Sequence, residues 1–291
     1  MKGIFWNCDG FKDPKKHKFI SDLTKEHQLD FIALSETVKK EFTPAALKNL
    51  CASKEFLWHC KPPRGRSGGL LLGINLLNVD IGLIDEGDFY IKFHLCNKVD
   101  KFKWALVLVY GPAQNELKDQ FLAELVNLCS HESLPILIGG DFNILRSPDE
   151  KNNDSYDDRW PFLFNAIIEG LCLRELQMSG RIYTWANNLA NPTYEKLDRI
   201  LMSTEWEHKF PLSSVVALNR DISDHTPLLL NTNSTSSGNA QHSFKFELGW
   251  LLRDGFVDMV KEVWSSVHEG NTPMERWQAK IRRLRQHLRG W

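Results

Sequence analysis

The sequence lacks the features that define several protein classes. No apolar run in its 291 residues approaches the roughly 20 residues that a transmembrane helix needs. Its start, MKGIFWNCDG, lacks the layout of a signal peptide, because polar residues follow almost at once. The formal net charge is only -1, so any surface for nucleic acid must be local. We therefore expect a protein that is neither secreted nor embedded in a membrane.

The cysteines show no metal-binding or redox pattern. None of the six forms a CxxC pair, and no cysteine and histidine cluster has zinc-finger spacing. Free thiols in a reducing compartment are the simplest interpretation, which predicts an intracellular protein. The cysteines are Cys8, Cys51, Cys60, Cys96, Cys129 and Cys172.

Short apolar runs rich in β-branched and aromatic residues recur along the first 231 residues, and each predicts a β-strand. Periodic apolar faces predict helices at residues 17–24, 117–128 and 160–168. Two long series of strands with helices on the outside predict an α/β fold in which two packed sheets are flanked by helices. The predicted strands cover residues 3–8, 30–35, 69–74, 89–95, 103–110, 134–139, 182–186, 196–202, 214–218 and 227–231.

The composition changes at residues 231–238, NTNSTSSG, which is typical of a flexible polar linker. We therefore predict one domain over residues 1–231 and a linker with a helical tail over residues 232–291. The tail carries two apolar stripes at helical spacing, and arginines flank the second. We expect this second stripe to dock on the same chain, to self-associate or to stay exposed, and the flanking arginines offer nucleic-acid binding as an alternative. The stripes are Phe256, Met259, Val260, Val263, Trp264 and Val267, then Trp277, Ile281, Leu284 and Leu288.

Polar side chains stand where the apolar pattern of several predicted strands stops. Strand ends converge at one edge of a sheet sandwich, so we expect these groups to meet in space. Singly, each has a structural interpretation, such as a turn residue, a helix cap or a surface ion pair. Together and in this order they favour a functional site. They are Asn7, Asp9, Glu36, Tyr110, Asp141, Asn143, Asp224 and His225, with Asp198 inside EKLDRILM.

This set of side chains suits the hydrolysis of a phosphodiester. Glu36 and Asp9 are hard oxygen ligands for Mg²⁺ or Mn²⁺, which neutralises charge on the anionic substrate. Asp141, with Asn143 beside it, is placed to deprotonate an attacking water.

The remaining groups suit an anionic transition state. His225 can donate a proton to a non-bridging oxygen, and Asp198 can hold that imidazole in the right tautomer. Tyr110 offers its hydroxyl to the phosphate.

The elements NCDG, SET, VYGP, GGDFN, KLDRIL and SDH, in this order, resemble the signature of the endonuclease/exonuclease/phosphatase superfamily over about residues 1–231. The resemblance implies a four-layered α/β sandwich of the DNase I type and hydrolysis that depends on Mg²⁺ or Mn²⁺. It assigns catalytic roles to Asn7, Tyr110, Asp141, Asn143, Asp198 and His225. It assigns metal binding to Asp9, Glu36 and Asp224.

Finer motifs resemble the endonuclease of plant LINE-type retrotransposons. These are GRSGGLLL at residues 65–72, SGRIYTWAN at residues 179–187, and the tail segment FKFELGWLLRDGFVDMVKEVW, which is similar to the connection to a reverse transcriptase. The resemblance implies a DNA-nicking enzyme that acts in the nucleus and has no obligate protein partner. Many plant copies carry Arg where this chain has Asp9, so Glu36 is the better supported ligand.

Two other functions fit the same motifs. One is a phosphatase for an inositol phosphate or a lipid head group, and the other is a catalytically silent remnant of a retroelement. The basic groups around Lys16 and Arg64 either contact DNA phosphates or form solvated charge runs. Trp185 either stacks on a base or packs against the edge of the sandwich, and we favour packing. The two basic groups are Lys15, Lys16, His17 and Lys18, then Arg64 and Arg66.

Overall fold

The computed structural model describes residues 1–52, 54–63, 68–187, 189–232, 255–266 and 273–288. The chain divides into two compact units, Met1–Ser234 and Thr235–Trp291. The first unit contains every side chain that the sequence places in the site. Arg64, Arg66 and the predicted linker from residue 233 onward lie outside the described residues, and the predicted domain boundary at residue 231 stays a prediction.

The first unit contains fifteen strands in its described residues. They are β1 (Lys2–Asn7), β2 (Phe31–Ser35), β3 (Phe56–Lys61), β4 (Leu70–Asn75), β5 (Val79–Glu86), β6 (Tyr90–Asn97), β7 (Lys103–Tyr110), β8 (Ile136–Asp141), β9 (Arg174–Glu175), β10 (Met178–Ser179), β11 (Trp185–Ala186), β12 (Tyr194–Glu195), β13 (Asp198–Met202), β14 (Ser214–Ala217) and β15 (Leu228–Asn231).

These strands form two mixed sheets and a short two-stranded ribbon, β11-β12. The first sheet has the order β10-β14-β15-β1-β2-β4-β3, and the second has the order β5-β6-β7-β8-β13-β9. At the centre of the first sheet, β1 pairs parallel to β2 and antiparallel to β15. At the centre of the second, β8 pairs parallel to β7 and antiparallel to β13. Of these central strands, β1 ends at Asn7, β8 ends at Asp141 and β13 begins at Asp198.

Five described α-helices accompany the sheets in the first unit: α1 (Pro14–His27), α2 (Pro44–Leu50), α3 (Asn115–His131), α4 (Arg159–Gly170) and α5 (Thr204–Lys209). The apolar faces of α1 and α2 pack on the first sheet, and those of α3 and α4 pack on the second. A third apolar core, which includes Phe5, Phe31, Leu106 and Leu137, fills the space between the sheets. The predicted four-layered α/β sandwich is thus confirmed.

Helix α1 illustrates how local sequence determines an element. Asp13 caps its start, because its carboxylate accepts from the backbone nitrogen of Lys15 at 2.8 Å, and Pro14 suits the first helical position. The helix buries Ile20 and Leu23 against the first sheet.

The structure also corrects the predicted element list. Strands β3 and β5 and helices α2 and α5 were not predicted, and the predicted strand at residues 182–186 contracts to the two residues of β11. Most of β3 is only half-buried, and β5 alternates irregularly between exposed and half-buried residues. Both lie at the edge of a sheet, so each pairs with a single neighbouring strand.

The second unit contains two described helices, α6 (Phe256–Ser265) and α7 (Pro273–Leu288). Phe256, which is 2% exposed, packs with Met259, Val260 and Leu284, so the second predicted stripe has a partner inside the unit. Trp277 is 51% exposed. Residue 267 and the tail segment before residue 255 lie outside the described residues. None of the described helices is both long and apolar enough to cross a bilayer.

Candidate active site

Side chains from both sheets meet where β1 and β8 end. Asn7 is the last residue of β1, and Asp141 is the last residue of β8. Asp198 begins β13 and pairs directly with Asp141 in the antiparallel ladder. His225 lies three residues before β15. The predicted convergence of these four side chains is what the structure shows.

Gly139 lets the two sheets approach closely at this edge, and Gly140 lets β8 lie close to its neighbouring strand β7. A Cβ atom on Gly139 would lie 2.6 Å from the ring of Phe5 on the facing sheet. Gly140 has a φ of +139°, and its Cβ would lie 2.1 Å from the carbonyl oxygen of Val109. Only glycine fits either position, which explains the two glycines that precede Asp141.

A hydrogen-bonded chain of four side chains forms the centre of the site. Asn7 Nδ2 donates to Asp141 Oδ2 at 2.9 Å and lies 3.3 Å from His225 Nε2. His225 Nδ1 pairs with Asp198 Oδ2 at 2.8 Å, and His225 Nε2 lies 3.7 Å from Asp141 Oδ2. All four residues are at most 5% exposed. The Asp198 carboxylate thus orients the imidazole through Nδ1, while Nε2 points toward the Asp141 carboxylate.

The electrostatics of this chain separate an acid from a base. Burial raises the pKa of Asp141 to about 7, although the nearby His225 opposes the shift. Burial acts against protonation of His225, but the charges of Asp198 and Asp141 outweigh it and raise its pKa to about 10. Between these values the proton resides on His225 and Asp141 is ionised.

Asn143 holds Asp141 from the other side. Its backbone nitrogen donates to Asp141 Oδ1 at 2.9 Å, and its Nδ2 donates to Asp141 Oδ2 at 3.1 Å. The same Nδ2 donates to the carbonyl of Gly111 at 2.9 Å, which ties this loop to the end of β7. Asp141 therefore accepts hydrogen bonds at both oxygens and has a fixed orientation.

Glu36 and Tyr110 lie next to this chain. Burial raises the pKa of Glu36, while hydrogen bonding from Asn7 and the charge of His225 oppose the shift. Burial and the charges of Glu36 and Asp141 raise the pKa of Tyr110, so its hydroxyl keeps its proton and can donate to an anion.

Three of the predicted site residues have a backbone in the left-handed region. The φ angles are +43° at Asp9, +53° at Glu36 and +50° at Asn143. Such angles are uncommon outside glycine, and they cluster at functional sites because the surrounding structure must hold them. Here the backbone nitrogen of Asp9 donates to Asn7 Oδ1 at 3.1 Å, and Cys8 donates to the carbonyl of Ser35 at 3.0 Å.

The chain matches the Endonuclease/Exonuclease/phosphatase family over residues 4–225. It belongs to this family. Members of the family are hydrolases that act on phosphate ester bonds, and the match spans all nine predicted site residues. No curated protein gives a significant match in sequence.

Solved structures of family members share the fold at low sequence identity. The AP endonuclease of Leishmania major has a TM-score of 0.65 and 14% identity, over 79% of this chain and 86% of that chain. The endonuclease domain of TRAS1, a telomere-specific non-LTR retrotransposon, has a TM-score of 0.60 and 12% identity, over 80% and 99%. The 3'-5' exonuclease of Neisseria meningitidis has a TM-score of 0.60 and 19% identity, over 79% and 99%.

Nucleases of this family are generally dependent on a divalent metal, and the site offers suitable oxygen ligands. Within the described part of the chain, Glu36 makes no ion pair with lysine or arginine, and the charge of Asp9 is close enough to raise its pKa further. Two neighbouring carboxylates of this kind are oxygen ligands that suit a hard cation. Asp141, Asp198 and His225 also lie within metal-binding distance of one another, but the 2.8 Å pair between Asp198 and His225 already occupies Nδ1.

Sequence reasoning missed two side chains that support the site. Thr184 Oγ1 accepts from the backbone nitrogens of Leu197 and Asp198, both at 3.0 Å, and so fixes the start of β13. Ser223 Oγ donates to the carbonyl of Asn7 at 2.9 Å and accepts from the nitrogen of His225 at 3.1 Å. Both lie inside motifs that were recognised, TW and SDH, but their partners are backbone atoms that no pattern shows.

Trp185 makes a polar contact that neither predicted role, stacking on a base or packing against the edge of the sandwich, includes. Its side chain is half-buried, and its Nε1 donates to Asp224 Oδ2 at 2.8 Å. The backbone of Trp185 also bridges to that of His225. The indole thus orients the carboxylate that the sequence assigned to a metal.

Two residues of the basic run on α1 contact backbone carbonyl groups. Lys16 is 8% exposed, and its Nζ donates to the carbonyls of Cys8 and Asp9 at 2.6 and 2.7 Å. His17 Nε2 lies 3.0 Å from the carbonyl of Phe11. The prediction that Lys16 lies on a DNA-facing or solvated surface is therefore wrong, because its amine fixes the loop after β1.

Proposed function

We propose that the protein is a metal-dependent endonuclease that nicks DNA and derives from a LINE-type retrotransposon. The observation that carries the proposal is the buried chain Asn7–Asp141–His225–Asp198, in which the Asp141 carboxylate lies 3.7 Å from an imidazole that the Asp198 carboxylate orients and keeps protonated. Hydrolysis of a phosphodiester needs both, because an attacking water loses a proton while the phosphoryl oxygens gain charge.

The residues divide this work among themselves. Ionised Asp141, held by Asn7 and Asn143, accepts the proton of the attacking water. Protonated His225 donates a hydrogen bond to a non-bridging oxygen, and the hydroxyl of Tyr110 donates to another. Glu36, with Asp9 and Asp224, would hold Mg²⁺ or Mn²⁺, which would neutralise charge on the phosphate.

The finer assignment to DNA and to retrotransposons rests on local motifs. Two residues of the segment SGRIYTWAN bond to the site. Thr184 bonds to the start of β13, and Trp185 bonds to Asp224. The similarity of this segment to LINE endonucleases supports a DNA substrate and hence action in the nucleus. The tail's resemblance to a retroelement connection supports the same origin.

Conversion of supercoiled plasmid to the nicked circle tests the proposal. We expect nicking in Mg²⁺ or Mn²⁺, none in EDTA, and loss in Asp141→Asn. Asp119→Asn is the matched control, since Asp119 is exposed on α3 and pairs with Arg159 at 3.4 Å. Full nicking in EDTA would contradict the proposed dependence on a metal ion. Release of phosphate from an inositol phosphate without nicking would assign the same site to a phosphatase.

A further inference from the structure

Lys16 is buried at a position where a lysine is unfavourable. It belongs to the first turn of α1, which contains no acidic residue, although the positive end of a helix dipole disfavours a cation there. The residue is only 8% exposed, and burial of an ammonium group is costly unless it finds polar partners. Its Nζ finds them in two backbone carbonyls, those of Cys8 and Asp9, at 2.6 and 2.7 Å. A residue that violates two local preferences in this way points to a role in a functional site.

The two carbonyls belong to the peptide groups on either side of the Cα atom of Asp9. The side chain of Asp9 is exposed, and its φ of +43° lies in the left-handed region, which a residue with a side chain keeps only when its surroundings hold it there. One ammonium group thus holds both peptide groups that flank Asp9. It thereby fixes the direction in which the carboxylate leaves the backbone.

The loop that carries Asp9 is also joined to the loop after β2, which carries Glu36. The nitrogen of Gly10 donates to the carbonyl of Glu36 at 2.7 Å, and the nitrogen of Phe11 donates to the carbonyl of Thr37 at 2.8 Å. The ring of His17 stacks on that of Phe11 with their centroids 4.4 Å apart. Helix α1 therefore holds the first loop at two points, and the first loop is bonded to the second.

This arrangement brings together two acids that repel each other. Asp9 and Glu36 carry charge of the same sign, so the backbone must keep their carboxylates near each other until a cation binds. Ligands that are held in place beforehand lose less freedom when the cation arrives, and binding is tighter for that reason. A contact that fixes the backbone of Asp9 should therefore affect the affinity of the site for metal.

We infer that Lys16 is a positioning residue of the metal site, which holds Asp9 in place as a ligand of the divalent cation. The inference rests on the metal dependence in the proposed function, and it adds a residue that acts through the backbone of a ligand. It also favours Asp9 as a ligand, which the sequence supports less well than Glu36.

Calorimetric titration of Mn²⁺ into the full chain, without DNA, measures this role apart from catalysis. In Lys16→Met, which removes the amine and keeps a long side chain, the Kd for Mn²⁺ should rise by about tenfold, on the scale of lost groups that orient metal ligands. Lys16→Arg keeps a cation with N–H donors and should bind Mn²⁺ more tightly than Lys16→Met. An equal Kd for the wild type and Lys16→Met would overturn the inference.

Lys54→Met is the matched control. Lys54 is a half-buried lysine whose Nζ also donates to a backbone carbonyl, that of Leu29 at 3.3 Å. Leu29 precedes β2, whereas Glu36 follows it, so this contact lies at the opposite end of the strand from the site. The Kd of Lys54→Met for Mn²⁺ should equal that of the wild type.

A double substitution tests whether Lys16 acts through Asp9. Asp9→Asn removes the carboxylate and keeps the backbone carbonyls that Lys16 holds, so it should weaken Mn²⁺ binding by itself. In that background Lys16→Met should cause little further loss, because the ligand that it misplaces is already gone. A further loss as large as in the wild-type background would overturn the inference. Thermal unfolding checks that each variant folds, and Lys16→Gln, whose uncharged amide lies one atom nearer the backbone, replaces Lys16→Met if that variant does not fold.

Plasmid nicking over a range of Mg²⁺ concentrations separates this inference from the proposed function. Lys16→Met should need about tenfold more Mg²⁺ for half-maximal nicking and should approach the wild-type rate at saturation, since Asp141 and His225 are unchanged. Weaker Mn²⁺ binding in Lys16→Met, with no nicking by the wild type, would support the positioning role and refute the endonuclease. Nicking by the wild type, with a Mg²⁺ requirement that Lys16→Met leaves unchanged, would support the endonuclease and refute the positioning role.

Discussion

At the scale of single residues, the site depends on two buried groups, Asp141 and His225, that lose their protons at different pH values. Asp141 has a pKa of about 7 and His225 a pKa of about 10. Two titratable groups whose surroundings separate their protonation in this way are typical of an acid and base pair in catalysis. The two groups are coupled, because the charge of Asp141 raises the pKa of His225 while the charge of His225 limits the rise in the pKa of Asp141.

This mutual dependence predicts the outcome of a double substitution. Asp141→Ala and His225→Ala should each lower the nicking rate by roughly a thousandfold, the scale of lost general-base and electrostatic catalysis. The double variant should lose much less than the product of the two losses, since both groups act on one transition state. Single-turnover rates on plasmid measure this, with Asp119→Asn as control. Strictly multiplicative losses would argue against a shared site.

The variant Asp198→Asn should lose nicking activity at a lower alkaline pH than the wild type. Burial and the charges of Asp198 and Asp141 together set the pKa of His225, and removal of the Asp198 charge lowers it. His225 acts while protonated, so the rate falls as the pH rises through its pKa, and this fall should come at lower pH in the variant. The amide can also turn its NH₂ group toward Nδ1, which favours the other imidazole tautomer.

Nicking rates of the Asp198→Asn variant and the wild type between pH 5 and about 10 test this shift. Circular dichroism checks that the fold is retained. Unchanged rates across that range would leave Asp198 with a purely structural role.

How much of the site the sequence can predict differs from residue to residue. Asn7 and Asp141 are predictable because they end strongly apolar strands, where polar residues are conspicuous. Thr184 and Ser223 are not, since hydroxyl groups are common in loops and their partners are backbone atoms. Lys16 was misjudged because a lysine in a basic run gives no sign that its amine is buried against two carbonyls.

At the scale of elements, β13 joins the site to a buried ionic network. Successive residues of a strand point to opposite faces, so Asp198 faces His225 while Arg199 faces the other way. Arg199 is fully buried, bonds to Glu150 and Glu175 at 3.0 to 3.1 Å, and donates to the carbonyl of Ile144 at 2.9 Å. The segment that follows Asn143 is thereby fixed to the strand that carries Asp198.

This network should make stability depend on acid pH through Glu175. Burial opposes its ionisation, but Arg199 and Lys196 outweigh that effect and lower its pKa from 4.5 to about 2. Because the folded pKa is the lower one, the stabilisation is complete above pH 4.5. It is lost as the pH falls toward 2, since the unfolded chain takes up the proton first.

Glu175→Gln removes this titration and leaves Arg199 with less compensation. The variant should melt well below the wild type at pH 7, and the gap should narrow as the pH falls from 4.5 toward 2. Thermal unfolding at several pH values measures the gap, with the exposed surface acid Asp119→Asn as control. A gap that stays constant with pH would show that Glu175 contributes by packing alone.

The elements themselves were predictable in proportion to their burial. Strands β1, β2 and β8 are wholly or almost wholly buried and stand out as apolar runs. Strand β5, VDIGLIDE, mixes apolar and charged residues and was not predicted, and β3, FLWHCK, was missed although it is mainly apolar. The register that places Asp198 opposite Asp141 is a property of paired strands, so one strand's sequence does not reveal it.

At the scale of the whole molecule, the site requires both sheets of the first unit. Asn7 comes from one sheet and Asp141 and Asp198 come from the other, and Gly139 permits their close approach. The tail contributes no proposed site residue, and within its own unit Trp277 remains 51% exposed. An apolar surface of this kind on a helix tends to associate with another surface.

A chain that ends at Ser234, where the first compact unit ends, should therefore nick plasmid at the full-chain rate and self-associate less. A chain that ends at Asn231 should be less stable, because it lacks Thr232, which is 1% exposed and donates from its nitrogen to the carbonyl of Met1 at 2.9 Å. Nicking rate, mass by light scattering and thermal unfolding compare the three chains. Thr232→Val in the full chain is the control for the side chain, since it keeps the backbone bond and should cost less than truncation. If the chain ending at Ser234 failed to fold and to nick, the tail would be a structural part of the catalytic unit.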